Sequence, residues 1–381
     1  MDFEWTAEQE AFAASIIAFA TKDLNDDLVG RDERREFSAL AWSACAKFGI
    51  QGLPVPIAYG GSGADAITIA RAMETLGYAC ADNGLLFSLG AQMWSAEIPL
   101  TRFGTEEQKQ RWLPGLCDGS LIGVQCMTEP TTGSDAFAMA TTAERRDESF
   151  VLNGTKTFIT NAPIADVFVV FATTDRSKGI GGLCAIVVER ASPGVHVGAP
   201  FRKMGLRTSP MSEVVFDGCD VPASNLLGSI GSGMAIFNTS MDWERSLILA
   251  TAVGSMQRQL EHSVAYAKER RQFGQPIGKF QAVSHRIVDM KVRLDAARLL
   301  LYQTAWKKSQ GKSTAVEASI AKLFISEAYL HSSLDTLQIH GAYGYMEESE
   351  IEREVRDAIA SRIYSGTSDI QRNIIAARMG L

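Results

Sequence analysis

Apolar residues recur at helical intervals through the first part of the chain. "TIARAMETLGYA" (68–79) is the clearest case. Thr6 with Gln9, and Thr105 with Gln108, have the spacing of a capping box, and each opens a helical stretch. Residues 1–118 therefore read as a helical domain. "YGGSGAD" (59–65) interrupts it as a loop; it follows no clear strand and does not fit the dinucleotide-binding G-x-G-x-x-G spacing. The pattern then changes. "DVFVVFATT", "GLCAIVVER" and "SEVVFDG" are short β-rich runs between turn residues. The Asn-Gly pair in "FVLNGTKTFI" (150–159) predicts a two-residue hairpin turn. With no long helical pattern between the strands, residues 119–225 read as a small β-barrel or sandwich rather than a βαβ array. Helical periodicity returns in residues 226–381. Residues 234–273 read as one very long helix, 282–310 and 315–341 as two more, and a last helix follows Ser368; together they suggest a four-helix bundle. The fold class is α+β, with three domains in the order helical, β, helical.

One apolar run carries an anomaly. From Gly231 to Met256 the only charged residues are Asp242, Glu244 and Arg245, in "MDWERSLILA". A carboxylate there is either a partner in a Glu–Arg pair bridging two helices, a solvent-facing residue, or a group that serves chemistry.

Composition narrows the classes. Apolar residues make up 46% and charged residues 21% of 381, as in a globular protein. The formal net charge of −7 and the lack of a basic tract speak against nucleic acid as a partner. The six cysteines form no C-x-x-C or Cys/His cluster, so neither zinc nor a disulfide framework is indicated. The start "MDFEWTAEQEAF" is acidic rather than basic, and no apolar run is convincing as a membrane span. A cytoplasmic location without membrane attachment is the expectation.

Seven motifs occur in a set order: "YGGSGAD", "CMTEPTTGSD" (126–135), "GTKTFITNA" (154–162), "FRKMGLRTSPMSEVVFDGCDVP" (201–222), "ERRQFGQPIGKFQA" (269–282), "QIHGAYGY" (338–345) and "RIYSGTSDIQR" (362–372). With the domain order, they make the chain resemble the acyl-CoA dehydrogenase family over essentially its whole length. The resemblance implies bound FAD. Met127 and Thr128 correspond to the stretch beside the flavin ring, Gly133 and Ser134 to the loop that meets the pyrophosphate, and Phe158 and Thr160 to an aromatic and a hydroxyl on the isoalloxazine. Arg270, Phe273, Gln338 and Gly341 match residues that reach the FAD of a neighbouring subunit, which implies an oligomer, usually a homotetramer. Thr367 and Asp369 match contacts to the adenosine and pyrophosphate region.

The reaction implied is oxidation of an acyl thioester between its α and β carbons. Many members carry the base as a Glu just before the Gly-Thr of the last motif; this chain has Ser365 there. A serine has no neighbouring base in the sequence to activate it. Its backbone N–H is expected to keep an oxyanion role while the base role moves. A minority of the family, resembling isovaleryl-CoA dehydrogenase, places the base on the long helix directly before an arginine. Glu244–Arg245 matches that position, with Arg245 structural or lining the substrate cavity and Asp242 solvated or capping. Motif detail is most similar to a branch that acts on acyl or prolyl groups tethered to a carrier protein, although a CoA thioester uses the same phosphopantetheine arm. An electron-transfer flavoprotein or oxygen is the expected acceptor. A flavin monooxygenase of the same fold, or a flavin-free interaction protein, are the other classes that this pattern leaves open.

Overall fold

The computed structural model describes residues 4–381. Its first part is helical: α1 (Ala7–Asp23), α2 (Leu28–Arg34), α3 (Ala39–Phe48), α4 (Ala66–Ala79), α5 (Asn83–Gln92), α6 (Ile98–Phe103) and α7 (Glu106–Asp118). Both capping boxes form, at Thr6 with Gln9 and at Thr105 with Gln108, and satisfy N–H groups that a helix start leaves unpaired. The glycine-rich segment 59–65 is a loop ending on Asp65, whose carboxylate caps α4 by accepting from the Thr68 N–H at 2.8 Å. Between α5 and α6 the chain makes one buried π-helical turn, Met93–Glu97.

The middle part is one sheet of β1 (Gly123–Cys126), β2 (Thr142–Arg146), β3 (Ser149–Thr160), β4 (Val167–Thr173), β5 (Leu183–Glu189), β6 (Val195–Val197), β7 (Met211–Pro222) and β8 (Leu226–Leu227). The strand order is β6-β7-β3-β2-β4-β5-β8, with β1 parallel to β4. Side chains alternate across a strand, so β4 serves two cores. Phe168, Val170 and Ala172 join residues of β3, β5 and β7 in one cluster; Val167, Val169 and Phe171 meet Trp112, Leu113 and Leu116 of α7 in another. Because β7 and β5, from opposite sides of the strand order, share the first core, the sheet curls around it.

The Asn-Gly pair does not turn the chain. Asn153 and Gly154 lie inside β3, which pairs with β7 on both sides of them, and a register shift between Leu152 and Gly154 marks a bulge. The turn sits instead between β2 and β3, with Asp147 at φ 43°. A Cβ on Gly154 would come within 2.4 Å of the Thr141 hydroxyl, and Asn153 Oδ1 accepts from the Gly218 N–H at 2.8 Å. Both residues serve close contacts, and cross-strand pairing overrides the local turn preference.

The last part comprises α8 (Gly233–Leu247), α9 (Ala250–Glu269), a hairpin of β9 (Arg271–Gln272) and β10 (Gln275–Pro276), then α10 (Gln281–Ser309), α11 (Ala315–His340), α12 (Ile351–Ala360) and α13 (Ser368–Met379). The long helix read from the sequence is two helices. It breaks at Ile248–Leu249, where Leu249 leaves helical geometry (φ −93°, ψ 8°). Leu247 to Ala250 are all buried, so apolar periodicity carries straight through the break and hides it. The bend lets α8 pack on the π turn while α9 packs on α4. The helix also ends at Glu269, short of Phe273, because Phe273 and Gly274 both take positive φ in the hairpin turn. Helix α12 lies in the approach to Gly366; half of its "IEREVRDAIA" is charged, and it buries Arg353, Asp357 and Ala358.

The helical parts at the two ends of the chain are not separately cored. Ile69, Met73 and Leu76 of α4 pack in one cluster with Val253 and Met256 of α9, Leu294 and Leu301 of α10, and Ile325 of α11. The β part joins them through the apolar cluster it shares with α7 and through buried polar contacts. Thr208 Oγ1 donates to Asp82 at 2.5 Å, the Leu206 N–H to Asp357 at 2.5 Å, and Asn161 Nδ2 to Ser88 O at 3.0 Å. All six cysteines are buried and unpaired. Among the described residues no helix is long and apolar enough to cross a membrane.

Helices α4 and α9 meet backbone to backbone. A Cβ on Gly254 would lie 2.0 Å from Glu74 O, and one on Gly77 2.1 Å from Thr251 O. Gly254→Ala is therefore expected to cost about 1–3 kcal/mol or more by overpacking, read as a lowered midpoint in thermal unfolding. Gly198→Ala, whose added carbon meets nothing closer than 3.6 Å, is the control and stays within about 0.5 kcal/mol of the parent.

Candidate active site

Glu244 lies on the buried side of α8, 8% exposed. Its carboxylate is met by two hydroxyls from different elements. Ser365 Oγ, in the segment between α12 and α13, donates to Oε1. Ser95 Oγ, on the π turn, reaches Oε2 at 3.4 Å, a long contact. Among the described residues Glu244 makes no ion pair, so it neither bridges two helices with Arg245 nor faces solvent. Burial pushes its carboxyl above the usual range; the Ser365 hydroxyl, the Arg245 charge, Ser95 and Lys322 pull in the other direction without cancelling that effect.

Arg245 points elsewhere. Its Nε donates to Ser365 O at 3.1 Å. From α11 the fully buried Lys322 donates Nζ to Gly366 O at 2.7 Å, and Gln371 Nε2 bonds Gly366 O at 2.9 Å and Ser365 O at 3.2 Å. Two successive carbonyls are thus clamped by three side chains. The clamp holds Ser365 (φ 58°) and Gly366 (φ 86°) in the left-handed region, which for a non-glycine residue needs support from its surroundings. The Ser365 N–H makes no hydrogen bond among the described residues. Burial, then the Arg245 charge, brings the Lys322 ammonium down to about 8.

A second constellation lies in the β part. Phe158 sits at a register shift of β3 with φ 56° and is 62% exposed, 5.7 Å from the Phe201 ring. Beside it the Thr157 N–H donates to Thr128 O at 2.8 Å, which docks the Met127–Thr128 stretch onto β3. A buried ion pair fixes that stretch from below. Lys156 Nζ bonds Met127 O at 3.1 Å and Glu129 Oε1 at 2.8 Å, and Glu129 also accepts the N–H groups of Ala140 and Thr141. Burial alone would raise the Glu129 carboxyl; Lys156 and these amides hold it down at about 2. Gly133 and Ser134 lie on the exposed loop that follows, and nothing lies within 4 Å of a Cβ on Gly133. The nearby Thr132 hydroxyl is buried without a partner. Thr160 pairs with Met211 at the end of β3. An exposed aromatic on strained backbone, an unpartnered hydroxyl and an open glycine loop fit a flat ring system with a polar tail, such as FAD.

The remaining predicted residues are on the surface. Phe273 is 94% exposed at the tip of the β9–β10 turn, and the Arg270 guanidinium lies 5.8 Å from the Tyr343 ring, two residues past Gly341. Gln338 is exposed near the end of α11. Thr367 caps α13 by accepting from the Ile370 N–H at 3.2 Å, and Asp369 pairs with Arg372 at 3.0 Å. Asp242 keeps a partly exposed side chain, binds Lys308 of α10 and accepts from Thr314 Oγ1 at 2.8 Å.

Sequence reasoning missed Ser95, Lys322 and the Lys156–Glu129 pair. Ser95 had no signal, because a π turn leaves none in apolar periodicity. The lysines are detectable in principle, as single cations in the apolar settings "SIAKLFIS" and "TKTFIT". Glu97, also on the π turn, is a further buried carboxyl. Gln92 Nε2 donates to its Oε1 at 2.9 Å, while Oε2 has no partner.

Comparisons with known proteins cover the whole chain. Family models described as Acyl-CoA dehydrogenase N-terminal, middle and C-terminal domain match residues 6–120, 125–219 and 231–380. An L-prolyl-[peptidyl-carrier protein] dehydrogenase of Pseudomonas fluorescens is 42% identical over 382 residues, covering 100% of both chains. Among solved structures, the prolyl acyl carrier protein oxidase AnaB is 48% identical, with a TM-score of 0.98 over 99% of this chain and 100% of its own. PigA, solved with FAD and proline, is 41% identical, with a TM-score of 0.98 and full coverage of both chains.

Glu97 generates a stability prediction. Burial raises its carboxyl from 4.5 to about 8, opposed only by the Gln92 hydrogen bond. Between those values the folded chain holds a proton that the unfolded chain has released, so this group makes stability fall as pH rises from about 4.5 to about 8. Glu97→Gln should flatten that slope in urea unfolding measured at pH 5, 6.5 and 8. Equal slopes for parent and variant would show that the group ionises freely in the fold.

Proposed function

Because the chain belongs to the acyl-CoA dehydrogenase family, we propose that it is an FAD-dependent dehydrogenase of a prolyl thioester tethered to a peptidyl carrier protein. The observation that carries the reaction type is the buried Glu244 carboxylate beside the Ser365 segment. The substrate class is supported by full-length likeness to prolyl-carrier relatives at 42–48% identity. Bound FAD supplies the acceptor for the β hydrogen as hydride. Glu244 takes the α proton; desolvation makes its carboxylate a stronger base than a solvated one. Negative charge then develops on the thioester oxygen, and the Ser365 N–H is the donor suited to meet it. Arg245 anchors the segment through Ser365 O rather than touching the reacting atoms.

The flavin ring is held by Met127, Thr128, Phe158 and Thr160, and its phosphates by Gly133 and Ser134. Thr367 and Asp369 hold the adenosine side. Arg270, Phe273, Gln338 and Gly341 complete the site of a neighbouring subunit in a homotetramer. The near-complete exposure of Phe273, with the exposed Val288 and Val292 one turn apart on α10, supports burial of these faces in an assembly.

Anaerobic mixing with matched prolyl thioesters tests the reading. Bleaching of the flavin by the carrier-bound form, and little by prolyl-CoA, is expected. Preferential bleaching by an acyl-CoA would make this an ordinary acyl-CoA dehydrogenase, and no bleaching by any thioester would favour a monooxygenase. Glu244→Gln should slow reduction by about 10²–10⁴-fold. In the parent, the reduction rate should rise with pH through a value above the ordinary carboxyl range, because Glu244 must lose its proton to act. Reoxidation in air-saturated buffer at the turnover rate marks oxygen as the acceptor; slow reoxidation marks an electron-transfer flavoprotein.

A further inference from the structure

The two oxygens of Glu244 are not equivalent. Oε1 takes the close hydrogen bond from Ser365 Oγ; Oε2 has only the long contact to Ser95 at 3.4 Å. The backbone that carries Ser365 is pinned from behind by Arg245, Lys322 and Gln371, so its hydroxyl is presented from a fixed backbone. We propose that the Ser365 side chain is a positioning residue for the base: it fixes the carboxylate plane through Oε1 and leaves Oε2 as the oxygen that takes the α proton. One residue thereby ties together two requirements, its N–H set towards the thioester oxygen and its hydroxyl set on the base. Rotation of the carboxylate about its terminal bond is a soft motion. A donor on rigid backbone removes that freedom before substrate arrives, which is how a base gains from pre-organisation.

The hydroxyl has an electrostatic effect as well. It donates to the charged form, and so favours the carboxylate against the burial that disfavours it. The other groups facing Glu244 are Arg245 on its own helix, Lys322 from α11, Tyr364 beside Ser365, and the neutral Ser95. Arg245 and Lys322 direct their hydrogen bonds to carbonyls, and Tyr364 is held above its ordinary range by burial, so Ser365 is the close donor to the carboxylate.

The inference rests on Glu244 being the base, and the test separates the two. Ser365→Gly is the informative variant, because glycine keeps the left-handed backbone and its N–H while losing the hydroxyl. The rate of anaerobic flavin reduction by the prolyl carrier thioester is measured against pH in the parent, Ser365→Gly, Ser365→Ala, Ser95→Ala and Glu244→Gln, each at matched flavin content. Ser365→Gly and Ser365→Ala should move the acid limb up by about one pH unit and lower the plateau about tenfold; Ser95→Ala should do less of both. Independently of turnover, an infrared band of protonated carboxyl that Glu244→Gln removes should titrate about one unit higher in Ser365→Gly. An acid limb and a carboxyl titration that both superpose on the parent's would overturn the positioning role while leaving Glu244 as base. A Glu244→Gln variant that reduces flavin at the parent rate would overturn the base reading, and this inference with it.

Discussion

A carboxylate inside an apolar helix packing is costly unless something compensates for lost water, and the surroundings of Glu244 are arranged around that cost. Two cations lie close enough to influence it, Arg245 and Lys322, yet neither forms an ion pair with it. Each is bonded to a backbone carbonyl instead, at Ser365 and Gly366. The distinction matters. A direct salt bridge would hold the carboxyl low and make it a weak base; with no positive charge nearby it would stay protonated. Hydroxyl donors with cations one step removed give an intermediate result. The group stays raised, but its charged form is still reachable.

That arrangement depends on elements far apart in sequence. Ser95 comes from the π turn before α6, Glu244 from α8, Lys322 from α11 and Ser365 from the segment before α13. They converge because the first and last helical parts share one hydrophobic core, so the chain ends cannot shift against each other without exposing it. The β part has its own core, shares a second apolar cluster with α7, and is aligned on the helices by buried polar contacts at residues 206–209. Such contacts are directional, and a misplaced domain would strip the buried Asp357 Oδ1 of the Leu206 N–H that it accepts. They set the distance between the proposed flavin shelf at Phe158 and the proposed base at Glu244.

Much of this was readable in the sequence. The capping boxes at Thr6 and Thr105 are local, and local hydrogen bonding decides them. The long apolar-periodic stretches became helices α4, α10 and α11 because burial follows period. What failed were features decided by distant partners. Asn153–Gly154 has the composition of a turn, but β7 and Thr141 take it into a strand. The break at Ile248–Leu249 leaves no polar mark, since both sides of it are buried. At the site, Glu244 stood out as a charge in an apolar run, whereas Ser95 and the hydroxyl role of Ser365 did not. A serine in a helix or turn is ordinary, and only its three-dimensional neighbour makes it otherwise.

Both constellations use one device. A peptide unit is planar and trans, so its carbonyl and N–H point in opposite directions. Buried Lys156 draws the Met127 carbonyl to itself, which turns the Thr128 N–H the other way. Buried Lys322, with Arg245 and Gln371, draws the Ser365 and Gly366 carbonyls, which turns the Gly366 and Thr367 N–H groups the other way. None of these three N–H groups has a hydrogen-bond partner among the described residues. These residues are half-buried, so the three donors are open to water or to a ligand that accepts from them. The lysines thus act at a distance of one peptide, fixing the orientation of dipoles that they do not touch. A Lys322→Met change would keep most of the buried volume but release the Gly366 carbonyl, whereas Lys156→Met would also strand the buried Glu129 carboxylate and cost stability outright.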